Sequence, residues 1–135
     1  MLNHTYEVHE RPRASAAVAD PLARAVWRAE RLILAEPGDP HSAESLASAV
    51  GISVRSLFRA FQRRRGYGPM EAVRRARLHR VQNDLLTAGP RDSVTDIAMR
   101  WGFYHLGRFA GFYCERFGEL PSATRQRSRW STRAA

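Results

Sequence analysis

Nine arginines lie between Val54 and Arg80 (Arg55, Arg59, Arg63, Arg64, Arg65, Arg74, Arg75, Arg77 and Arg80), and Glu71 is the one acid among them. A guanidinium presents a rigid fork of donors that matches phosphate oxygens and the O6 and N7 acceptors of guanine. Arginine at this density points to nucleic acid rather than to catalysis. The other residue types that do chemistry do not assemble. Five histidines, His4, His9, His41, His79 and His105, show no metal-ligand spacing, and Cys114 is the lone cysteine. The sequence has no nucleophile motif, no phosphate-cradling glycine loop and no convincing carboxylate pair. It therefore predicts no enzyme, no metal site and no cofactor. One cysteine also excludes a disulfide framework and fits a reducing cytoplasm.

The 135 residues carry 22 basic side chains and 13 acidic ones, net +9. Every basic residue is arginine, which reads as GC-rich coding bias. The excess is not spread evenly. Residues 1–53 hold five arginines and seven acids, while residues 54–80 reach +8. Residues 81–120 hold four arginines and five acids, and residues 121–135 hold four arginines and no acid. Residues 1–20 read as a flexible leader and residues 128–135 as a basic disordered tail. The central patch lies in a strongly patterned region, so it needs a structural explanation. A 44% hydrophobic content suits a folded chain, and no apolar run nears the roughly 20 residues that span a bilayer.

The patterning predicts helices only. From Pro21, apolar Leu22, Ala25, Val26, Ala29 and Ile33 recur at helical steps, with Asp20 as cap. Residues 36–40 (Glu-Pro-Gly-Asp-Pro) end that helix. Ser42 caps a short helix, Ala43 to Val50, stopped by Gly51. Ser53 caps the next, Val54 to about Arg65, ended by Gly66-Tyr67-Gly68-Pro69. A long helix runs from Pro69 to about Thr87, with an expected core stripe of Met70, Val73, Ala76 or Arg77, Val81 and Leu85. Ser93 caps a short helix closed by Gly102. Another runs from about His105 to Phe117, and Pro121-Ser122 starts a last turn. The fold class is all-α, with about seven helices.

Within it one pattern occurs twice. Leu46-Ala47 and Gly51-Ile52 match Ile97-Ala98 and Gly102-Phe103 at an offset of 51. Leu57, Phe61, Gly66 and Pro69 match Phe109, Tyr113, Gly118 and Pro121 at an offset of 52. Two copies of one supersecondary unit are implied. The unit is helix, tight turn, helix. Small Ala47 and Ala98 stand where the helices cross, and Gly51 and Gly102 stand where the turn needs a positive φ. That is the helix-turn-helix, whose second helix enters the major groove.

On these residues the chain resembles the DNA-binding domain of the AraC/XylS family of bacterial transcription regulators. Residues 42–78 resemble the family's first helix-turn-helix and connecting helix. The second copy, from Val94 to Arg127, resembles its signature region, with a Gly-Phe pair and a Phe-Gly-x-x-Pro exit. The resemblance implies two helix-turn-helix subdomains, residues 21–68 and 91–127, joined by a long connecting helix, residues 69–87. At 1.5 Å per residue that connector is about 28 Å long, against roughly 34 Å between successive major-groove faces. It implies double-stranded DNA as partner and activation as the commoner outcome. It also implies a nucleoid location and a monomer or weak dimer for the isolated domain. Most such relatives also carry an effector-binding domain, and the leader reads either as a remnant of its linker or as part of a compact regulator.

Residue roles follow from the helix faces. Arg55 and Arg59 are expected at guanine edges, and Val54 and Phe58 at thymine methyls, with Phe58 fitting the core equally. Ser53, Arg63, Arg64, Arg74 and Arg75 are expected at phosphates, and Arg65 at a phosphate or in solvent. In the second copy His105 and Arg108 are the long polar side chains among Leu106, Gly107, Ala110 and Gly111. Relatives of this type carry more polar residues there, so the first copy is expected to supply most of the affinity. Trp101, Phe103, Phe109, Phe112, Tyr113 and Phe117 are expected to build the second core rather than a base-stacking platform. His79, among arginines, is expected at the surface or facing phosphate. RNA binding, or docking on RNA polymerase through acidic faces, is the alternative.

Overall fold

The computed structural model describes residues 20–128. The leader and tail segments lie outside them, but for Asp20 and Ser128. Among the described residues there are seven helices and no strand: α1 (Pro21–Ala35), α2 (Ala43–Val50), α3 (Val54–Arg65), α4 (Pro69–Leu86), α5 (Val94–Arg100), α6 (Leu106–Phe117) and α7 (Pro121–Gln126). The expected caps are in place. Asp20 accepts from the Leu22 and Ala23 amides, and Ser42 and Ser45 cap each other reciprocally. The Ser53 and Ser93 hydroxyls accept from the Ser56 and Asp96 amides at 3.1 and 3.0 Å. Each such bond satisfies an amide that the helix cannot, worth about 1 kcal/mol. Gly51 and Gly102 adopt φ of +78° and +90°, as the two tight turns require.

The described residues divide into two compact units, 20–76 and 77–128, the break falling inside α4. In the first unit α1 packs on both α2 and α3. Its core joins Val26, Ala29 and Ile33 of α1 to Leu46 and Ala47 of α2, Leu57, Ala60 and Phe61 of α3, and Ala72, Val73 and Ala76 of α4. Ala47 is buried at the crossing, where a larger side chain would hold the helices apart.

In the second unit Leu78, Val81 and Leu85 of α4 meet Ile97, Ala98, Phe109 and Tyr113. Trp101, Phe103, Phe112 and Phe117 pack half-buried against them, so the aromatic group is a core, as expected. The Tyr113 hydroxyl donates to Thr124 Oγ1 at 2.7 Å and ties α6 to α7. Burial pushes that phenol up to about 12.

Two sequence expectations for α4 are corrected. Met70 is 40% exposed rather than part of the core. The helix serves one core through Ala72, Val73 and Ala76 and another through Leu78, Val81 and Leu85. No single 3.6-residue stripe describes both sets. His79 is buried, not at the surface. Its ring stands edge-on to Phe117 with centroids 4.9 Å apart, and Arg116 Nε approaches its Nε2 at 3.4 Å. Arginine neighbours in sequence suggested a polar face, but adjacent helical residues point in directions about 100° apart.

Candidate nucleic-acid interface

Helix α3 is fixed by what it buries. Leu57, Ala60 and Phe61 hold one side in the first core, which leaves Arg55, Phe58, Arg59, Gln62 and Arg63 exposed on the other. Arg55, Arg59 and Arg63 are four residues apart, so they form one stripe rising about 6 Å per step. A major groove about 12 Å wide admits a helix carrying such a stripe. Val54, at the first helical position, is half-buried against the core. Phe58 is 42% exposed and its ring edge lies over Gly68, where an added Cβ would sit 3.2 Å away. The Ser53 hydroxyl caps the helix and also donates to Ser56 Oγ at 3.0 Å.

The +8 segment turns out to be largely paired internally. Arg64 is ion-paired with Asp20. Arg65 Nε and Nη2 donate to the two Glu30 oxygens at 2.6 and 2.8 Å. Glu30 is buried, so this fork is a strut between α1 and α3, not the phosphate or solvent contact expected for Arg65. Arg74 and Arg75 both pair with Glu71, and the Arg75 guanidinium lies 3.9 Å over the Tyr67 ring. Arg80 stacks on Trp101 at 5.4 Å, and Arg77 crowds the Gly102 turn. Among the described residues Arg55, Arg59 and Arg63 make no ion pair. The outer face of α3 therefore carries three exposed arginines in one stripe with no carboxylate beside them.

The second unit repeats the geometry with different chemistry. His105 is the N-cap of α6, its Nδ1 accepting from the Arg108 amide at 3.0 Å. With Nδ1 the acceptor, the neutral ring carries its proton on Nε2, a donor. Arg108 is exposed, and Gly107 and Gly111 leave the same face without side chains. A Cβ at Gly111 would meet nothing within 4 Å. Tyr104, 74% exposed in the turn before α6, was not singled out from sequence. It sits outside any helical stripe, and its aromatic neighbours masked it. Below α6, Asp84 accepts from Trp101 Nε1 at 2.8 Å and from Arg100 Nη1 at 2.9 Å. Arg125 donates to the Asp92 and Gly89 carbonyls at 2.9 and 2.7 Å and holds the loop after α4.

Two capped helix-turn-helix units, one with a bare arginine stripe, define a class, and comparison with known proteins agrees. A family model described as a helix-turn-helix domain matches residues 46–127. The "Probable thc operon regulatory protein" of Rhodococcus erythropolis is 46% identical over 84 residues, 62% of this chain and 25% of that protein. The "XylDLEGF operon transcriptional activator 2" of Pseudomonas putida is 44% identical over 85 residues, 62% of this chain and 54% of that protein. This chain thus spans from a quarter to about half the length of these curated relatives. A solved probable AraC family transcriptional regulator from Rhodopseudomonas palustris CGA009 superposes with a TM-score of 0.74 at 44% identity. That match covers 78% of this chain and 97% of the other. An AraC-type DNA-binding-domain regulator from Chromobacterium violaceum gives 0.70 at 28% identity, covering 84% of this chain and 97% of the other. The chain belongs to the AraC/XylS family, and its tandem helix-turn-helix units are that family's DNA-binding domain.

Proposed function

We propose that this chain binds double-stranded DNA sequence-specifically and regulates transcription, with α3 in one major groove and α6 in the next. The observation that carries the reading is the stripe of Arg55, Arg59 and Arg63, exposed and without a carboxylate partner among the described residues. Arg55 and Arg59 would read guanine edges, with Val54 and Phe58 against thymine methyls. Arg63, Arg64 and Ser53 would meet phosphates, Arg64 by giving up its single ion pair with Asp20. His105 Nε2 and Arg108 would supply the fewer polar contacts of the second unit. Helix α4, which supplies residues to both cores, is 18 residues and about 27 Å long. The relatives' names speak of operon activation, and activation through RNA polymerase at the nucleoid is the corresponding proposal here.

Selection of a site from random duplex DNA, followed by hydroxyl-radical footprinting, tests the reading. Two protected stretches about one helical turn apart are expected. A single stretch would contradict the use of both units, and failure to enrich any sequence would contradict specific binding.

A further inference from the structure

We infer that Glu71 sets how much of the arginine patch reaches DNA, by holding Arg74 and Arg75 off the phosphate backbone. The inference rests on the duplex-DNA reading above. One carboxylate takes both guanidinium groups: Arg74 Nη2 pairs with Oε1, and Arg75 Nε donates to Oε2 at 3.0 Å. Arg75 is held a second time, over the Tyr67 ring. The two arginine side chains are only 34% and 30% exposed, whereas Arg55, Arg59 and Arg63 stand in the exposed class with no carboxylate. Glu71 occupies the first turn of α4, where the helix N-terminus favours a negative side chain and steadies it.

The consequence is a division of the patch. Phosphate contacts by arginine are sequence-independent and raise affinity for every site alike. Three bare arginines on α3 grip the groove that is being read, while two more, left free, would strengthen binding anywhere. Glu71 therefore acts on the ratio of specific to non-specific binding. It is a positioning residue, acting through Arg74 and Arg75 rather than on DNA itself.

The test is the salt dependence of binding by the full chain to a mixed-sequence duplex of about two helical turns. Glu71→Gln is expected to tighten non-specific binding about three- to tenfold and to steepen the plot of log affinity against log salt by about 1 to 2 between roughly 50 and 200 mM. Glu71→Ala guards against a glutamine oxygen that still accepts from Arg75, and should do at least as much. Both variants are repeated in an Arg74→Ala/Arg75→Ala background, where the gain should vanish. A gain that persists there is only the loss of one negative charge near DNA and overturns the inference. So does an unchanged or weaker binding by Glu71→Ala, which would make Glu71 a support that aims the arginines at phosphate. If the unsubstituted chain fails to bind duplex at any salt, the DNA reading falls and this inference with it. A folded far-UV spectrum for each variant keeps a stability effect from imitating any of these results.

Discussion

Arg59→Ala is expected to weaken binding to the selected site by roughly 5- to 100-fold, the range of one lost bidentate contact to guanine. Arg59 occupies the middle of the stripe and shares no ion pair among the described residues, so its removal leaves the fold alone. An exposed helix position of this kind shifts stability by no more than about 0.5 kcal/mol. Lysine at the same position should restore part of the general affinity but not the discrimination, because a point charge cannot make the two parallel bonds. Arg108→Ala should cost less. Its neighbours on the outer face of α6 are Gly107, Ala110 and Gly111, so no second basic side chain reinforces it there. Quantitative gel shifts on the selected duplex decide the order. A loss from Arg108→Ala equal to or larger than that from Arg59→Ala would overturn the dominance of the first unit.

The largest expected effect on stability comes from Glu30→Ala. The substitution strands the Arg65 guanidinium, whose side chain is only 14% exposed against 6% for Glu30. Breaking one side of a buried pair costs about 3–5 kcal/mol. The lower end applies here, since Arg65 lies near the rim and keeps its bond to the Arg64 carbonyl. At about 4–8 °C per kcal/mol for a small domain, the melting temperature should fall by roughly 12 °C or more. Glu30→Met with Arg65→Met should recover most of that loss, because apolar side chains of similar volume replace a buried pair well. Thermal unfolding followed by circular dichroism measures both. A fall of only a degree or two for Glu30→Ala would show that the fork does not brace α3 against α1.

Local signals carried most of the fold into the sequence. Ser42, Ser53 and Ser93 announce helix starts because a hydroxyl satisfies the orphan amides a few residues on. Gly51 and Gly102 announce the turns because few other residues take a positive φ without strain. The repeat then located Leu57 and Phe109 in equivalent core positions, and both are buried. Long-range pairing was illegible. Glu30 and Arg65 are 35 residues apart, and nothing in either helix's own pattern shows that they meet. For the same reason a run of nine arginines could not be divided into bare and paired ones without tertiary structure. His79 misled because its sequence neighbours are polar while its helix face turns to Phe117. The α3 stripe was half-legible: the spacing of Arg55, Arg59 and Arg63 is written in the sequence, but their lack of a carboxylate partner is not.

The central claim is that the bare face of α3 is shaped for duplex DNA. Competition tests it most directly, with the chain bound to its selected labelled duplex and challenged by unlabelled duplex or by single-stranded RNA of equal length and charge. The account predicts that the specific duplex displaces the probe at concentrations where the RNA does not. Displacement by the RNA at the same concentration as the duplex would contradict it.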